Sequence, residues 1–380
     1  MKLLFICGSL EPGRDGVGDY CILMARALRE LGVECALLAI NDAHLRPADG
    51  PIAQGTLEGT PFLRLAAGTE WRERAEPAKK FVDRFQPAWV SVQFVCYAFH
   101  PRGFASGLGP QIASIAGSAR VHVMFHEIWI GDARQYGLVD RAVGLLQKRC
   151  IRHLVRTLHP ASMHTSNAVY QHLLAGIGVH AGRLPLPGNI TICEPAPGTP
   201  ATIRTHGSRE WVAGIFGSIH PRWSAEPWLD ALCATALKDG RPLIIAHFGE
   251  PGAAGREVWD RVASSYAQRA KFILLGRKSA REISLLLQEI DFGLATSPWH
   301  LIEKSGATAA FLDHGVPVLV TRDDWLLRGQ STPLPSAHPL LLAYSRASLE
   351  LLTDSRVKRH PESRIPEIAR RFASDLGFGA

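Results

Sequence analysis

Two doubly wound α/β domains are what this sequence predicts, on three observations. At the amino terminus an apolar run of strand length, Lys2 to Cys7, is followed by a loop, a helix from about Asp19 to Leu31 and a second apolar run, Val33 to Ile40. Strand, loop, helix and strand in that order make a parallel α/β unit. The same order recurs far along the chain, from Asp291 to Arg322. Between the two lies Glu194 to Gly207, EPAPGTPATIRTHG, rich in Pro, Gly and Thr and poor in large apolar residues, which reads as a linker. The expected division is 1–193, a linker at 194–207, 208–355 and a terminal helical segment at 356–380.

At 380 residues the chain is long enough for two domains with real cores. An apolar fraction of 46% with 20% charged residues is that of a globular protein. No apolar run approaches the roughly 20 residues that cross a bilayer, and MKLLFICGSL is too short for a signal segment and is read as the first buried strand. Seven cysteines, odd in number and without a CxxC pair, suit a reduced, cytoplasmic protein with no zinc site. The net charge of +7 and a pI near 9.2 favour anionic partners. On charge alone nucleotide diphosphates, anionic lipid surfaces and nucleic acid are all open.

In the first helix Ile22, Leu23, Ala25, Leu28 and Leu31 recur at helical spacing, and Gly32 stops it. The loop before it, GSLEPGRDGVG, holds Gly16 and Gly18 but lacks a third glycine for GxGxxG; Asp42 stands where a dinucleotide-binding acid would. A nicotinamide-dependent Rossmann enzyme is therefore one reading. Ala88 to Phe94 and Val121 to Phe125 are the next strands, ending in clusters that contain Tyr97, His100, His126, Glu127 and Trp129. In an open parallel sheet the ligand crevice lies beyond the carboxyl ends of the strands. Aromatic faces with polar tips suit a sugar, while a satisfied core histidine and a core tryptophan are the plain alternative. Arg141 to His159 reads as an amphipathic helix, with Lys148, Arg149, Arg152 and Arg156 on one side and Ala142, Leu146, Cys150 and Leu154 opposing them. It is either a solvated face or a contact for an anionic membrane surface.

Beyond the linker, Trp211 to Phe216, Leu243 to Phe248 and Lys271 to Leu275 are strands, and Ala280 to Glu289 is a helix. In DFGLATSPWHLIEKSGATAAFLDHGVPVLVTR a short strand, Phe292 to Ala295, leads through a loop to Ile302. A compact helix follows over Ser305 to Leu312, with Gly315 at its stop and Val316 to Val320 as the next strand. Glu303, Lys304 and Ser305 stand at the start of that helix, where unpaired N–H groups and the dipole suit a phosphate. Gly306 and Ala307 let a large ligand approach the backbone.

This last segment resembles the donor-sugar segment of GT-B glycosyltransferases, most closely glycosyltransferase family 4. SPWHLIEKSG supplies the family's loop, first Glu and Gly, and Gly315-Val316-Pro317-Val318 its close. Eight residues after Glu303, where the family holds the nucleotide ribose with a second Glu, stands Phe311. GRDGVGDY resembles the family's glycine loop at the mouth of the cleft, VHVMFHEIWIG its strand ending in His and an acid, and HTSNAVYQHLL with LPGNI the end of its first domain. In GSIHPRWSAEPWL the family's diphosphate-gripping Arg and Lys positions are Ser218 and Trp223, with Arg222 adjacent.

The resemblance implies two Rossmann-like domains facing a cleft, with the terminal helix returning to the first domain. It implies a hexosyltransferase that moves a sugar from a nucleotide-diphosphate donor to a glycan, lipid-linked or small-molecule hydroxyl, retaining configuration. His126 would orient the reacting sugars and Glu303 would bind donor hydroxyls. Gly16, Gly18, Ser218, Arg222, Gly249, Arg277, Lys304, Ser305, Gly306 and Ala307 would bind the donor, and Asp19, Tyr97, His100, Glu127 and Trp129 the acceptor. The expected partners are a nucleotide sugar and a sugar or lipid-linked acceptor, with no nucleic acid and no cofactor. No metal is expected, since cations and helix N–H groups can stabilise a departing diphosphate, and Asp323-Asp324, beyond the last strand, reads as a turn. The expected place is cytoplasmic, at most peripheral at the inner membrane face. A non-catalytic relative that binds a glycan or a partner is the alternative within the fold.

Overall fold

The computed structural model describes residues 1–380 except 47, 49, 199–200, 205–208, 227, 355–356 and 379–380. Residues 199–200 and 205–207 of the expected linker, and residues 208, 355, 356 and 380 of the expected boundaries, lie outside the described residues. The chain divides into two compact units, Met1–Pro185 with Leu327–Pro333 and Ile365–Ala380, and Leu186–Leu326 with Leu334–Arg364. The division thus falls at Pro185, ahead of the Pro-, Gly- and Thr-rich stretch. The described part of that stretch is tied to the second unit, where Thr202 and Ile203 N–H groups donate to the Glu289 carboxylate.

In the first unit the elements are β1 (Lys2–Cys7), α1 (Gly16–Glu30), β2 (Glu34–Asp42), β3 (Ile52–Leu57), β4 (Thr60–Ala66), α2 (Trp71–Phe85) and β5 (Trp89–Val95). They continue with α3 (Cys96–Phe99), α4 (Leu108–Ala116), β6 (Arg120–Glu127), α5 (Leu138–Leu158), β7 (Ser162–Thr165), α6 (Ala168–Ala175) and β8 (Gly182–Arg183). The strands form one sheet in the order β3-β4-β2-β1-β5-β6-β7-β8, parallel except for the β3–β4 hairpin. β1, β2 and β5 are buried almost throughout, as strands covered on both faces must be.

The second unit holds β9 (Trp211–Phe216), α7 (Trp228–Lys238), β10 (Leu243–Phe248), α8 (Ala253–Tyr266), β11 (Lys271–Leu274), α9 (Ala280–Glu289) and β12 (Phe292–Pro298). A 3-10 helix (Trp299–Lys304), α10 (Gly306–Asp313), β13 (Val318–Arg322), β14 (Leu341–Ala343) and α11 (Arg346–Leu352) complete it. Its sheet is wholly parallel, in the order β11-β10-β9-β12-β13-β14. Trp211, Trp228, Leu229, Leu232 and Trp259 fill one face of it, and Val212, Ile244, Leu286, Leu287 and Phe311 the other. The last helix, α12 (Ile365–Asp375), belongs to the first unit, where Phe372 packs on Phe5 and on the His122 ring.

Several elements differ from the sequence reading for identifiable reasons. α1 begins at Gly16, three residues early, because the Asp15 side chain caps it by accepting from Gly18 N at 2.6 Å. Gly16 and Gly18 therefore lie in the first helical turn and not in an open loop. A Cβ on Gly18 would sit 2.8 Å from Ser9 O, so the glycine lets the helix close onto β1's loop. β6 runs on to Glu127, which puts His126 inside the strand. β12 continues through an irregularity to Pro298, and what reads as a loop is a 3-10 helix. On α5 the buried stripe is Gly144, Gln147, Ile151, Leu154 and Leu158. Ala142 and Leu146, expected to face inward, are exposed together with Arg149 and Arg156. The 142-146-150 row runs along the flank of the helix, not along its buried stripe.

Candidate functional site

In the second unit every strand delivers its carboxyl end to one edge, and the predicted donor residues other than Gly16 and Gly18, which lie in the first unit, belong to segments at or next to the ends of its strands. β9 ends in a turn at Gly217 (φ 80°), β10 in Gly249 (φ 95°) and β11 in Gly276 (φ 67°). These left-handed turns lie against one another. Gly217 N donates to Phe248 O, Gly249 N donates to Gly276 O, and a Cβ on Gly249 would stand 3.1 Å from the Gly217 backbone. His247, buried beneath them, binds Gly217 O through Nε2 at 2.7 Å. The result is a low floor of backbone at the sheet edge.

Thr296 of β12 fastens the β9 loop to this floor: its hydroxyl accepts from His220 N at 3.2 Å and donates to Ser218 O at 3.3 Å. Arg322, at the end of β13 and only 6% exposed, donates to Thr296 O and forms a two-pronged pair with Asp324 at 2.9 and 2.8 Å. Burial opposes ionisation of Asp324, but the Arg322 hydrogen bonds and charge prevail and hold its pKa below the usual carboxylate range. His220 is held below its ordinary pKa by burial first, and then by the positive charges of Arg322, Arg222 and Lys304, with Asp324 opposing. Arg222 of the β9 loop, Lys304 at the end of the 3-10 helix and Arg322 at the end of β13 thus all act electrostatically on one imidazole.

Lys304 closes the 3-10 helix, and Ser305 caps α10 by accepting from Thr308 N at 3.2 Å. Glu303, Lys304, Ser305, Gly306 and Ala307 are all half-buried, and a Cβ on Gly306 would meet nothing within 4 Å. Glu303 accepts from Ser336 N at 3.0 Å, so part of this carboxylate serves the neighbouring loop. Arg277 is exposed and lies 3.8 Å from Glu250. Phe311 is 1% exposed and its ring packs over Gly293. No carboxylate therefore replaces the family's second Glu at that position. Trp223, at the family's Lys position, is buried and donates its indole N–H to Thr321 Oγ1 at 2.9 Å. His220 and Arg322 escaped the sequence reading. Arg322 ends the very segment singled out there, but its approach to Arg222 depends on the strand order β9-β12-β13.

The first unit's carboxyl edge has another character. Around the start of α1, Asp15 caps the helix and Asp19 accepts from Gly13 N at 2.9 Å. Burial raises the pKa of both carboxyls, and Asp15's charge adds to the rise at Asp19. A phosphate placed at Gly16 and Gly18 would meet these acids where it needs donors. Asp42, fully buried, has both oxygens taken: one accepts from His44 N, the other from Leu10 N and Arg64 Nε. It is not open to a ribose hydroxyl, which removes the residue that suggested a nicotinamide enzyme.

Among the acceptor-side residues, Tyr97 follows the end of β5 and Glu127 ends the neighbouring β6, with Val95 opposite Glu127 in the register. Burial raises the Tyr97 pKa and the Glu127 charge adds to the rise. The Tyr97 hydroxyl accepts from Gln147 Nε2 at 3.2 Å, and 39% of the side chain is exposed. His100 shapes its own loop, its Nδ1 accepting from Arg102 N and Phe104 N. Trp129 is buried, donates its N–H to Asp132 and carries Lys148 Nζ 5.3 Å from its ring centroid, so it buttresses α5 and offers no open stacking face there. His126 is 9% exposed, its Nε2 lies 2.8 Å from Gln93 Oε1 and the Tyr20 ring meets it edge-on.

With this geometry the chain can be set beside known proteins. No protein-family model matches the chain, and no curated protein matches it by sequence. Solved structures do. The catalytic domain of starch synthase IV from Arabidopsis thaliana, bound to ADP and acarbose, matches with a TM-score of 0.59 at 10% identity, over 100% of this chain and 98% of that one. Anabaena HepE in complex with UDP and glucose matches with a TM-score of 0.59 at 13% identity, over 100% of both chains. The chain has the GT-B fold. A putative UDP-N-acetylglucosamine 2-epimerase from Listeria monocytogenes also matches, with a TM-score of 0.53 at 12% identity, over 99% of this chain and 96% of that one. The GT-B plan is therefore shared by proteins described as transferases and as an epimerase, and the site must separate them.

Burial at His126 gives a measurable pH dependence. Desolvation lowers its pKa from 6.5 to about 3. Between those values the unfolded chain binds a proton that the native chain refuses, so stability falls as pH drops below 6.5. His126→Gln should remove about 2 kcal/mol of the stability change between about pH 7 and pH 5. Urea titrations at the two pH values check this. An unchanged difference would mean that His126 is not buried in the native state.

Proposed function

We propose that the chain is a GT-B glycosyltransferase whose nucleotide-diphosphate donor binds at the carboxyl edge of the second sheet. The observation that carries the reading is the convergence of Arg222, Lys304 and Arg322 beside the glycine floor. When the bond from the anomeric carbon to the β-phosphate oxygen breaks, one further negative charge develops on the departing diphosphate, and fixed cations with backbone N–H groups stabilise it without reorganisation. Arg222 and Lys304 grip the diphosphate, and Arg322, already balanced by Asp324, holds the loop that carries Arg222. Ser305, Gly306 and Ala307 give backbone access at the start of α10, and Glu303, half-buried at the same helix start, is the residue proposed to bind donor hydroxyls. Ser218, Gly249 and Arg277 frame the nucleotide. Asp324 is spoken for by Arg322, so cations and not a divalent metal take the leaving-group charge. The starch synthase and HepE structures, described with ADP and UDP, support a nucleotide-sugar donor by analogy of fold. Transfer of a hexosyl group with retention, as in family 4, completes the reading, with Tyr97, Glu127 and His126 on the acceptor side.

One observation favours a second reading. Phe311 leaves no acid where the family holds the ribose, which fits a relative that binds without turning over. Mass spectrometry of products from a panel of nucleotide sugars and acceptors separates the readings. Release of nucleoside diphosphate with one sugar added to an acceptor is expected. A donor bound but returned intact supports the non-catalytic relative, and a donor returned as its epimer supports the other chemistry of the fold. In the same system Lys304→Ala should weaken nucleoside diphosphate binding by about 1.5–3 kcal/mol, the worth of a charge-assisted contact. Unchanged affinity by calorimetry would remove Lys304 from the site.

The acceptor is proposed to be lipid-linked and reached at an anionic bilayer, because of α5. Leu138, Val139, Leu145 and Leu146 on this one helix are between 43% and 78% exposed. Ala142 lies exposed among them, and Arg149, His153 and Arg156 continue the outward face. An apolar half followed by a basic half is what an interfacial helix presents to acyl chains and headgroups. Co-sedimentation with vesicles containing anionic lipid should capture the protein, uncharged vesicles should not, and Leu145→Asp with Leu146→Asp should abolish capture. Equal recovery of both proteins in the pellet would contradict the proposal.

A further inference from the structure

A single chain of buried polar groups runs across the first sheet from its carboxyl edge to the last helix. His126 Nε2 lies 2.8 Å from Gln93 Oε1, and Gln93 Nε2 donates to Ser91 Oγ at 2.6 Å. Ser91 Oγ lies 2.8 Å from His122 Nδ1, and His122 Nε2 lies 3.0 Å from His164 Nδ1. His164 Nε2 ends the chain 3.1 Å from Asp375 Oδ2 on α12. Ser91, Gln93, His122 and His164 are 0%, 1%, 0% and 5% exposed, and only Asp375 reaches solvent appreciably. Each inner group has two partners, both within the chain.

Every link needs one donor and one acceptor, so the direction chosen at one end propagates to the other. An ionised carboxylate only accepts. His164 must then carry its proton on Nε2 and accept at Nδ1 from His122 Nε2–H. His122 Nδ1 accepts from the Ser91 hydroxyl, Ser91 accepts from the Gln93 amide, and the Gln93 carbonyl accepts from His126 Nε2–H. His126 is thereby left with a bare lone pair on Nδ1. Without that carboxylate the reversed chain bonds equally well from His164 to His126: Ser91 donates to a flipped Gln93, whose NH2 donates to His126 Nε2, and the His126 proton moves to Nδ1. Burial lowers the pKa of His122 and His164, although the Asp375 charge works against it at His164, so neutral rings carry the links.

We propose that Asp375 is a positioning residue that acts through this wire to fix the tautomer of His126, leaving Nδ1 as an acceptor at the sheet edge. That this acceptor serves a reacting sugar rests on the proposed function; the tautomer itself does not.

Nitrogen-15 NMR of the full chain labelled at histidine tests it without any substrate. Wild type should show His126 as a single tautomer, protonated on Nε2. Asp375→Ala removes the fixed acceptor and should add the Nδ1–H tautomer of His126, whereas Asp375→Glu should restore the single form. Should the alanine variant not fold, Ser91→Ala cuts the wire at its middle and should free His126 in the same way. A wild-type His126 protonated on Nδ1, or a His126 spectrum unmoved by Asp375→Ala or by Ser91→Ala, overturns the proposal. These outcomes are separate from the product assay: an inactive protein with the expected tautomers fails only the functional reading.

Discussion

Parallel strand pairing is the constraint from which the rest of this structure follows. A parallel strand cannot turn straight back, so each is followed by a crossover, and the carboxyl ends of neighbouring strands arrive at one edge. In the second unit all six strands obey this rule, and loops far apart in sequence, at residues 217–222, 249–250, 276–278 and 303–307, come to one line. The three glycine turns keep that line low, since a side chain at Gly249 would run into the Gly217 backbone. Chemistry is then supplied by whatever side chains those loops carry.

The two edges carry opposite chemistry. In the second unit Arg222, Lys304 and Arg322 make a cationic edge, with Asp324 fixed to Arg322. In the first, Asp15 and Asp19 occupy the start of α1, Asp42 is locked by Arg64, and the sheet interior holds neutral histidines. An anion gains at the first of these edges and loses at the second. This contrast, more than the fold, is what supports the proposed diphosphate site in the second unit. The same contrast explains why the glycine loop and Asp42, which together suggest a dinucleotide site in sequence, do not make one.

Much of the framework was legible in the chain. Apolar runs bounded by glycine marked β1, β9 and β10 to the residue, and Ser279 with Glu282 forms the capping box that starts α9 where expected. Boundaries failed where a side chain intervened, as when Asp15 drew Gly16 and Gly18 into α1. The cationic cluster was half legible: Arg222 and Lys304 stood beside family positions, but Arg322 and His220 join them only through strand order. The buried wire left a signal that went unread. In VSVQFV and VHVMFHE polar residues fall on alternate positions, so Ser91 and Gln93 share one face of β5, and His122 and His126 share one face of β6. What period two could not show was that β7 brings His164 alongside, or that α12 brings Asp375.

Hydrogen exchange by mass spectrometry, with and without a nucleoside diphosphate, tests the central claim most directly. Slowed exchange should appear in the segments around 217–222, 249–250, 276–278 and 303–307, with residues 11–19, the loop and first turn of α1, unchanged. Protection confined to residues 11–19 and β2 would contradict the account and return the chain to the dinucleotide-binding reading.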